Sequence, residues 1–201
     1  ARRIMLGRRH LLAAGAALAA GPALAQGQTL RVGSTPTGIP FTFLDTRTNT
    51  ITGFMVDLIR EIGTRQGFAV DVQATPFAAL IASLTSNRID IIAAAMLATP
   101  ARRETIDFSD PVYGYGEAVA VKDGENRPWR SLADMRGVAA GVQVGTAYID
   151  PMRAAGLDVR TYDSVADIMR DVALGRIQAG FGDGPIVGYQ VAQGTFRGVR
   201  L

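Results

Sequence analysis

Residues 89–97 (IDIIAAAML) restrict the possible folds more than any other segment, because they are apolar apart from Asp90 and lead directly into a Thr-Pro-Ala-Arg turn. Such a run is typical of a strand that is covered on both faces of a parallel α/β sheet. Sheets of this kind bind ligands just beyond the carboxyl ends of their strands. The pattern therefore predicts a ligand-facing edge at Thr99 and Arg102, where Pro100 opens a new helix at its first position.

The charge at this edge is suited to an anionic ligand. A guanidinium such as that of Arg102 can bind a carboxylate through two parallel, charge-assisted hydrogen bonds. The alternative is that Arg102 and Arg103 are solvated charges in the first turn of a helix, as most surface arginines are. Spacing alone leaves both interpretations open.

From residue 29 onward the chain alternates short apolar runs with helical periods. The predicted strands are residues 29–34, 68–75 and 89–97, and the predicted helices between them are residues 54–63 and 77–84. A β-α-β-α-β series of this kind requires right-handed crossovers and a mostly parallel sheet.

The same alternation starts again after residue 116. The predicted strands of this second part are residues 117–122, 137–145, 158–163, 178–183 and 199–201. A helix is predicted between the third and fourth of them, with Ser164 as its N-cap and Gly175 at its end. The simplest interpretation is two α/β lobes that are joined near residues 111–119.

The first 25 residues have the features of an export signal: a basic start, an apolar stretch at 11–20 and a small-x-small end. That stretch of ten residues is too short to span a bilayer of roughly 30 Å, so we do not expect a permanent anchor. Arg8 and Arg9 resemble a twin-arginine signal, and an ordinary Sec signal is the open alternative. We therefore expect an exported, periplasmic protein.

The basic balance of the chain belongs to this leader. The sequence has 21 basic and 18 acidic side chains, and four of the basic ones lie in residues 1–25, which contain no acid. Without the leader, 17 basic side chains face 18 acidic ones, and nothing favours nucleic acid as a partner. The chain has no cysteine, and its one histidine, His10, lies in the leader. We therefore expect no metal, no cofactor and no histidine-based catalysis.

Residues 99–113 (TPARRETIDFSDPVY) resemble the signature of the bacterial extracellular solute-binding proteins of family 3, the amino-acid receptors of ABC importers. The resemblance covers essentially everything after residue 28, and it is carried by residues 29–45, 53–67, 77–91, 137–148 and 175–186. It implies a two-lobe α/β periplasmic-binding-protein fold that is type II-like, with lobe 1 at 29–113 and lobe 2 at 114–201. It also implies a return of the chain to lobe 1, so we expect the carboxyl-terminal part to be truncated and lobe 1 to be incomplete.

The resemblance also implies a ligand site. In this family an amino acid binds in the cleft between the lobes, which close around it by a hinge motion. At the matching positions, Arg102 would hold the α-carboxylate, with Thr99 beside it in the turn, and Asp183 would take the α-ammonium. The alternative for Asp183 is an Asx-type turn cap, a common use of Asp between glycines.

Four further positions are predicted to belong to the site by the same matching. Gly145 and Thr146 would add backbone amides and a hydroxyl to the carboxylate. Phe77 would form one wall of the cleft or would be a core aromatic, and Phe41 keeps an aromatic that the family has near its amino terminus.

Three positions depart from the family pattern. Leu97 replaces a hydroxyl or small polar residue, which weakens capture of the ammonium. Thr35 replaces an acid, and Gly38 replaces an aromatic wall. The loss of the acid argues against a ligand with a cationic side chain.

We therefore expect a monomeric periplasmic receptor that binds a small amino acid or related carboxylate and delivers it to an ABC permease in the inner membrane, without catalytic residues. A first alternative is a periplasmic cyclohexadienyl or prephenate-type dehydratase on the same fold, with Asp183 or Glu117 as general acid. A second alternative is the sensory lobe of a larger receptor.

Overall fold

The computed structural model describes residues 27–201. The strands are β1 (Thr29–Ser34), β2 (Thr37–Gly38), β3 (Thr42–Asp45), β4 (Thr50–Thr52), β5 (Ala69–Ala74), β6 (Ile91–Ile92), β7 (Glu117–Lys122), β8 (Ala139–Gln143), β9 (Asp158–Tyr162), β10 (Ala179–Asp183) and β11 (Val199–Arg200). The α-helices are α1 (Phe54–Gln66), α2 (Leu80–Thr85), α3 (Pro100–Arg103), α4 (Ile149–Ala154), α5 (Val165–Ala173) and α6 (Gly184–Ala192), and 3-10 turns lie at Phe77–Ala79 and Leu132–Met135.

The first sheet has the order β5-β1-β6, and all of its pairings are parallel. This confirms the predicted β-α-β-α-β arrangement, with α1 and α2 as the crossover helices. Val32 of β1, Ile59 of α1 and Ala93 are buried together beneath this sheet. Removing such apolar side chains from water is what holds α1 against the strands.

The strand that was predicted at 89–97 is shorter in the structure. Only Ile91 and Ile92 are strand residues, although Ala93 still donates its N–H to the carbonyl of Gly33 at 3.0 Å. Ala95 then has a left-handed backbone, with φ of 49°, which ends the extended path. The prediction was wrong in extent because an apolar run does not reveal a turn, and the residues after Ala95 leave the sheet.

Asp90, the one polar residue of that run, bonds to the neighbouring strand. Arg31 donates to its carboxylate from the backbone N–H at 2.8 Å and from the guanidinium at 2.9 and 2.7 Å. These bonds hold the pKa of Asp90 down, at about 2. The polar side chain therefore joins β1 to β6 at the exposed margin of the sheet.

The second sheet has the order β11-β7-β10-β8-β9, in which β10, β8 and β9 run parallel and β7 is antiparallel to β10 and β11. Helix α5 packs on it through one buried face, which is formed by Val165, Ile168, Met169 and Val172. Its N-cap Ser164 accepts a hydrogen bond from the N–H of Asp167 at 3.1 Å, as the sequence predicted.

Several elements were not predicted. Strands β2, β3 and β4 form a small antiparallel sheet, and helices α4 and α6 complete the second half of the chain. The three strands have two to four residues each, too few to show a period of two. Helix α4 is only six residues long, and α6 carries glycines that lower its helix propensity.

We call residues 29–113, which contain the first sheet, lobe 1, and residues 114–201, which contain the second, lobe 2; these boundaries stay predictions. The predicted export signal at 1–25 lies outside the described residues. Between residues 27 and 201, no helix has both the length and the apolar character that crossing a membrane requires.

Candidate functional site

A small cavity of about 20 Å³ lies where the two lobes meet. It is lined by Thr35, Gly38, Phe77, Ala94, Leu97, Arg102, Tyr115, Gln143, Thr146, Ala147, Tyr148, Asp183 and Ile186. Lobe 1 contributes the segments that follow β1, β5 and β6, and lobe 2 contributes Tyr115 and the segments at the ends of β8 and β10. Both lobes thus present the carboxyl ends of parallel strands, which is the edge where α/β sheets place their ligands.

Arg102 lies in helix α3, which begins at Pro100, and its side chain lines this cavity. Thr99 caps the helix by accepting a hydrogen bond from the N–H of Arg102 at 3.3 Å. The guanidinium donates from Nη1 to the carbonyl oxygen of Leu97 at 2.8 Å and from Nη2 to that of Gly145 at 2.9 Å. The side chain thus bonds to the backbone of both lobes.

The guanidinium keeps donors for an anion. Of its five N–H groups, the bonds to Leu97 and Gly145 use two, which leaves three without a protein acceptor among the described residues. Burial lowers the pKa of Arg102, and the charge of Asp183 opposes that shift, but an arginine stays protonated at any physiological pH. Phe77 lies beneath it, with 5.7 Å between the guanidinium carbon and the ring centroid.

Asp183 lies at the end of β10, directly before α6, and its carboxylate lines the same cavity. Its side chain makes no capping bond to the helix, so the structure does not support the alternative of a turn cap. Oδ1 accepts a hydrogen bond of 2.6 Å from the hydroxyl of Tyr148. Burial raises the pKa of Asp183, while the hydroxyls of Tyr148 and Tyr115 and the charge of Arg102 act in the opposite direction.

Two tyrosines of the site were missed at the sequence level. Burial raises the pKa values of Tyr115 and Tyr148, so both hydroxyls are neutral donors. Tyr115, at the start of lobe 2, donates to the carbonyl oxygen of Ala95 in lobe 1 at 2.6 Å. Tyr148 ends one of the segments that carry the family resemblance, but no pattern marks which tyrosine of a loop points into a cleft.

Gln143 forms a further bond between the lobes and was also missed. It is 7% exposed, and its Nε2 donates to Oγ1 of Thr37 at 3.3 Å and to the carbonyl oxygen of Asp163 at 2.9 Å. The hydroxyl of Thr146 donates to the backbone carbonyl of Gln143 at 2.8 Å. The end of β8 is therefore held by a polar network that reaches across the cavity.

The structure brings together most of the predicted site residues. Five of them line the cavity: Leu97, Phe77, Arg102, Thr146 and Asp183. Gly145 contacts the site through the carbonyl that accepts from Arg102, rather than through the predicted backbone amides.

Two predicted residues are placed elsewhere. Thr99 does not line the cavity, and its hydroxyl caps α3 instead. Phe41 is 5% exposed and packs in an aromatic cluster, with its ring centroid 5.9 Å from that of Tyr113 and 5.8 Å from that of Tyr115. Neither side chain lines the cavity: Thr99 caps the helix that carries Arg102, and Phe41 is buried in the core. Their part in ligand binding stays a prediction.

A larger cavity of about 630 Å³ lies on lobe 1, between α1 and the segments that follow β6. Its lining comes mainly from apolar side chains of that one lobe, and the carboxylate of Asp90 in it is already paired with Arg31. Opposite charges from two lobes converge at the smaller cavity instead. We therefore take the smaller cavity as the candidate functional site.

Comparison with known proteins places this geometry in context. The family model of the bacterial extracellular solute-binding proteins, family 3, matches residues 30–184. The L-cystine-binding protein TcyJ of Escherichia coli strain K12 is 32% identical over 150 residues, which are 74% of this chain and 56% of the relative. The probable ABC transporter arginine-binding protein ArtJ of Chlamydia trachomatis is 36% identical over 150 residues, 72% of this chain and 56% of that relative. The chain thus spans little more than half the length of these relatives.

Solved structures show the same fold. An ancestral arginine-binding protein bound to arginine has a TM-score of 0.80 at 32% identity, over 87% of this chain and 78% of the other. An ancestral arginine-binding protein bound to glutamine has a TM-score of 0.79 at 33% identity, over 86% and 76% of the two chains. An ancestral amino-acid-binding protein, a precursor of cyclohexadienyl dehydratase, has a TM-score of 0.76 at 30% identity, over 82% and 74%.

Proposed function

Because the chain belongs to the bacterial extracellular solute-binding proteins of family 3, we propose that it is a receptor that captures an amino acid between its two lobes. Arg102 would bind the α-carboxylate and Asp183 the α-ammonium. The observation that carries this proposal is that one cation and one anion line the same inter-lobe cavity. A zwitterionic backbone matches both charges, so neither is left buried without a partner.

The ligand's side chain would be neutral. Arg102 and Asp183 are the charged residues among those that line the cavity, and the α-carboxylate and α-ammonium would use both. A charged ligand side chain would then be half-buried without a counter-ion, which is costly. Thr35, Gln143 and Thr146 offer polar groups, and Leu97 and Ile186 offer an apolar wall. This composition supports a small polar or apolar amino acid over the arginine that several relatives bind.

Binding would require the lobes to part. A cavity of about 20 Å³ is comparable to the space that one water molecule needs, and an amino acid is several times larger. The inter-lobe bonds of Arg102 and Gln143 would break as the cleft opens and would form again around the ligand.

Location and partner follow from the family. Curated relatives are named as binding proteins of ABC transporters, and the family is one of extracellular proteins. We propose a periplasmic location and delivery of the ligand to an ABC permease. The export route, twin-arginine or Sec, and a monomeric state stay predictions.

The dehydratase alternative depends on a carboxyl group that donates a proton. Asp183 is the one carboxyl group among the lining residues, and it accepts a hydrogen bond from Tyr148, which favours the ionised form. This geometry supports binding of an ammonium over general acid catalysis. Incubating the protein with prephenate and recording the absorbance of phenylpyruvate tests this; formation of product would favour the enzyme.

The proposal is tested by a thermal-shift screen against the twenty amino acids. A ligand at a hundredfold its Kd stabilises the folded state by about 2.7 kcal/mol, which for a protein of this size raises the Tm by roughly 5–10 °C. We expect such a shift with one or more neutral amino acids and none with arginine or lysine. If no amino acid raises the Tm, the proposed function is wrong, and if only arginine or lysine does, the proposed ligand class is wrong.

A further inference from the structure

Tyr148 is in direct contact with the one acid of the cavity. Its hydroxyl lies 2.6 Å from Oδ1 of Asp183, which is short for a bond between a neutral donor and an acceptor and typical of a bond to a carboxylate. Both side chains line the cavity, and both belong to lobe 2. The pair therefore exists within one lobe, independently of whether the lobes are open or closed.

The bond constrains how Asp183 can meet a ligand. The carboxylate sits at the junction of β10 and α6, and the bond to Tyr148 engages Oδ1 only. Among the described residues, none donates a hydrogen bond of ordinary length to the second oxygen, Oδ2, although the nearby hydroxyl of Tyr115 also lowers the pKa of Asp183. With one oxygen held, the rotation of the carboxylate is restricted, and the other oxygen can accept from a donor in the cavity.

The surroundings of Asp183 would otherwise favour its neutral form. Burial raises its pKa. Glu117 lies opposite Asp183 in the ladder between β7 and β10. A carboxylate on the paired strand disfavours a second negative charge nearby. Tyr115 and the positive charge of Arg102 act in the other direction together with Tyr148. The hydroxyl of Tyr148 donates to Oδ1 at 2.6 Å, whereas that of Tyr115 donates to the carbonyl oxygen of Ala95.

We propose that Tyr148 is a positioning residue of the receptor: its hydroxyl orients the Asp183 carboxylate and keeps it ionised, so that the free oxygen accepts from the α-ammonium of the ligand. This inference rests on the proposed function for the identity of the ligand group. It predicts that the hydroxyl, and not the ring, of Tyr148 determines how affinity changes with pH.

The chain contains a matched control. Tyr162, also in lobe 2, donates its hydroxyl to Oδ2 of Asp171 at 2.9 Å, and neither side chain lines the cavity. Burial raises the pKa of Tyr162 to about 12, so it too is a neutral donor. The variants Tyr148→Phe and Tyr162→Phe each remove one tyrosine–aspartate hydrogen bond and keep the ring.

The first measurement uses the ligand-free protein. The carboxyl carbon of Asp183 is followed by ¹³C NMR as the pH is varied, and Asp183→Asn identifies its resonance. A hydrogen bond to a charged group changes an acid dissociation constant by about a factor of ten. We therefore expect Tyr148→Phe to raise the pKa of Asp183 by about one unit. Tyr162→Phe should leave it unchanged. An Asp183 pKa that is the same in Tyr148→Phe and the wild type overturns the inference.

The second measurement is calorimetric titration with L-alanine, L-serine and L-glutamine at pH 8 and pH 5. The ammonium binds the ionised carboxylate, so affinity falls as the pH drops through the pKa of Asp183, and this should begin at a higher pH in Tyr148→Phe. We expect that variant to bind less tightly than the wild type, and the ratio of their affinities to increase by several-fold at pH 5, about tenfold at most. A ratio that is equal at both pH values contradicts the inference. If the wild type binds none of the three probes, the proposed ligand class fails, while the NMR titration still decides the role of Tyr148.

Discussion

Arg102 of lobe 1 donates a hydrogen bond of 2.9 Å from Nη2 to the carbonyl oxygen of Gly145 in lobe 2. The same guanidinium bonds to Leu97 of its own lobe at 2.8 Å. The guanidinium that we propose binds the ligand's carboxylate therefore also links the two lobes by hydrogen bonds. Capture of the ligand and closure of the cleft would therefore depend on the same side chain.

Replacing Arg102 by lysine should abolish high-affinity binding while the protein still folds. A lysine keeps the charge but not the planar fork, so it cannot bond to both carbonyls and to a carboxylate. Leaving a buried carboxylate poorly paired costs about 3 kcal/mol or more, which weakens binding at least roughly 100-fold. Isothermal titration with the neutral amino acid from the screen measures the loss.

The control for this variant is Arg103→Lys. Arg103 is the next residue of α3, is exposed, and lies over the ring of Phe108 rather than in the inter-lobe cavity. Its variant should bind as the wild type does. Equal losses in the two variants would show that helix α3, and not the guanidinium of Arg102, matters.

Substituting alanine for Gly145 should hinder closure. Gly145 has a φ of 81°, and a Cβ there would lie 2.8 Å from Cα of Ala78, which belongs to lobe 1. That contact is shorter than a van der Waals contact and involves backbone, so the lobes would have to stay further apart. We expect affinity for the ligand to fall by tenfold or more, at about 1.4 kcal/mol for each factor of ten.

Gly137→Ala separates this clash from backbone strain. Gly137 has a φ of 77°, and a Cβ there would meet nothing within 4 Å. Both variants should lose about 1 kcal/mol of folding free energy from the left-handed conformation. Only Gly145→Ala should bind weakly; a similar loss of affinity in Gly137→Ala would exclude the steric explanation.

Gln143→Ala should shorten the lifetime of the closed complex. The variant loses the bond to Thr37 and leaves the carbonyl of Asp163 without that donor. A hydrogen bond of this kind contributes about 1 kcal/mol, so dissociation should be faster by roughly fivefold. Stopped-flow fluorescence, with the ligand displaced by an excess of a competitor, gives the rate.

Gln178→Ala is the matched variant for this test. Gln178 accepts a hydrogen bond from the N–H of Ala139 at 3.1 Å within lobe 2, is exposed, and does not line the cavity. Its removal should leave the dissociation rate unchanged. Indistinguishable rates for the two variants would mean that the bond between Gln143 and Thr37 does not hold the lobes together.

Asp183→Asn should stabilise the protein without ligand and abolish its binding. Burial raises the pKa of Asp183, so the folded state retains a proton that the unfolded state has lost. The contribution of this group to stability is therefore fully present below the unfolded pKa and is lost as the pH rises through the folded one. Asparagine stays neutral and can still accept from Tyr148.

Thermal unfolding at a series of pH values measures this effect. The Tm of Asp183→Asn relative to the wild type should increase from pH 4 to pH 7. In the presence of the neutral amino acid, only the wild type should gain stability. A difference in Tm that shrinks toward neutral pH would mean that burial does not dominate the pKa of Asp183.

The periodic elements of this protein could be predicted from the sequence. β1 and α5 were placed almost to the residue, because alternation and a buried helical face are local properties. The short strands β2–β4 and the end of β6 could not be, since two-residue pairings and the left-handed turn at Ala95 depend on neighbours that are distant in the chain.

The sequence predicted the two charged residues of the candidate site but not the residues that hydrogen-bond around them. Arg102 and Asp183 follow from the resemblance, and both line the cavity. Tyr148 and Gln143 were not predicted. Phe41 was expected near the ligand, and the structure places it in the core, away from the cavity lining. Whether an aromatic or amide side chain enters a cleft or a core depends on the packing around it, and sequence spacing carries no information about that.

The sequence by itself determined the α/β class, the family and the two opposite charges that we propose bind a zwitterion, because each of these depends on residue type and local order. Only the tertiary structure decided that one guanidinium bonds to both lobes and that Tyr148 bonds to Asp183. It also decided that the cavity is small and that, among the described residues, Arg102 and Asp183 are the charged ones that line it. Those properties arise from residues more than 30 positions apart in the chain, such as Tyr148 and Asp183, which meet only when β8 and β10 have paired in the second sheet.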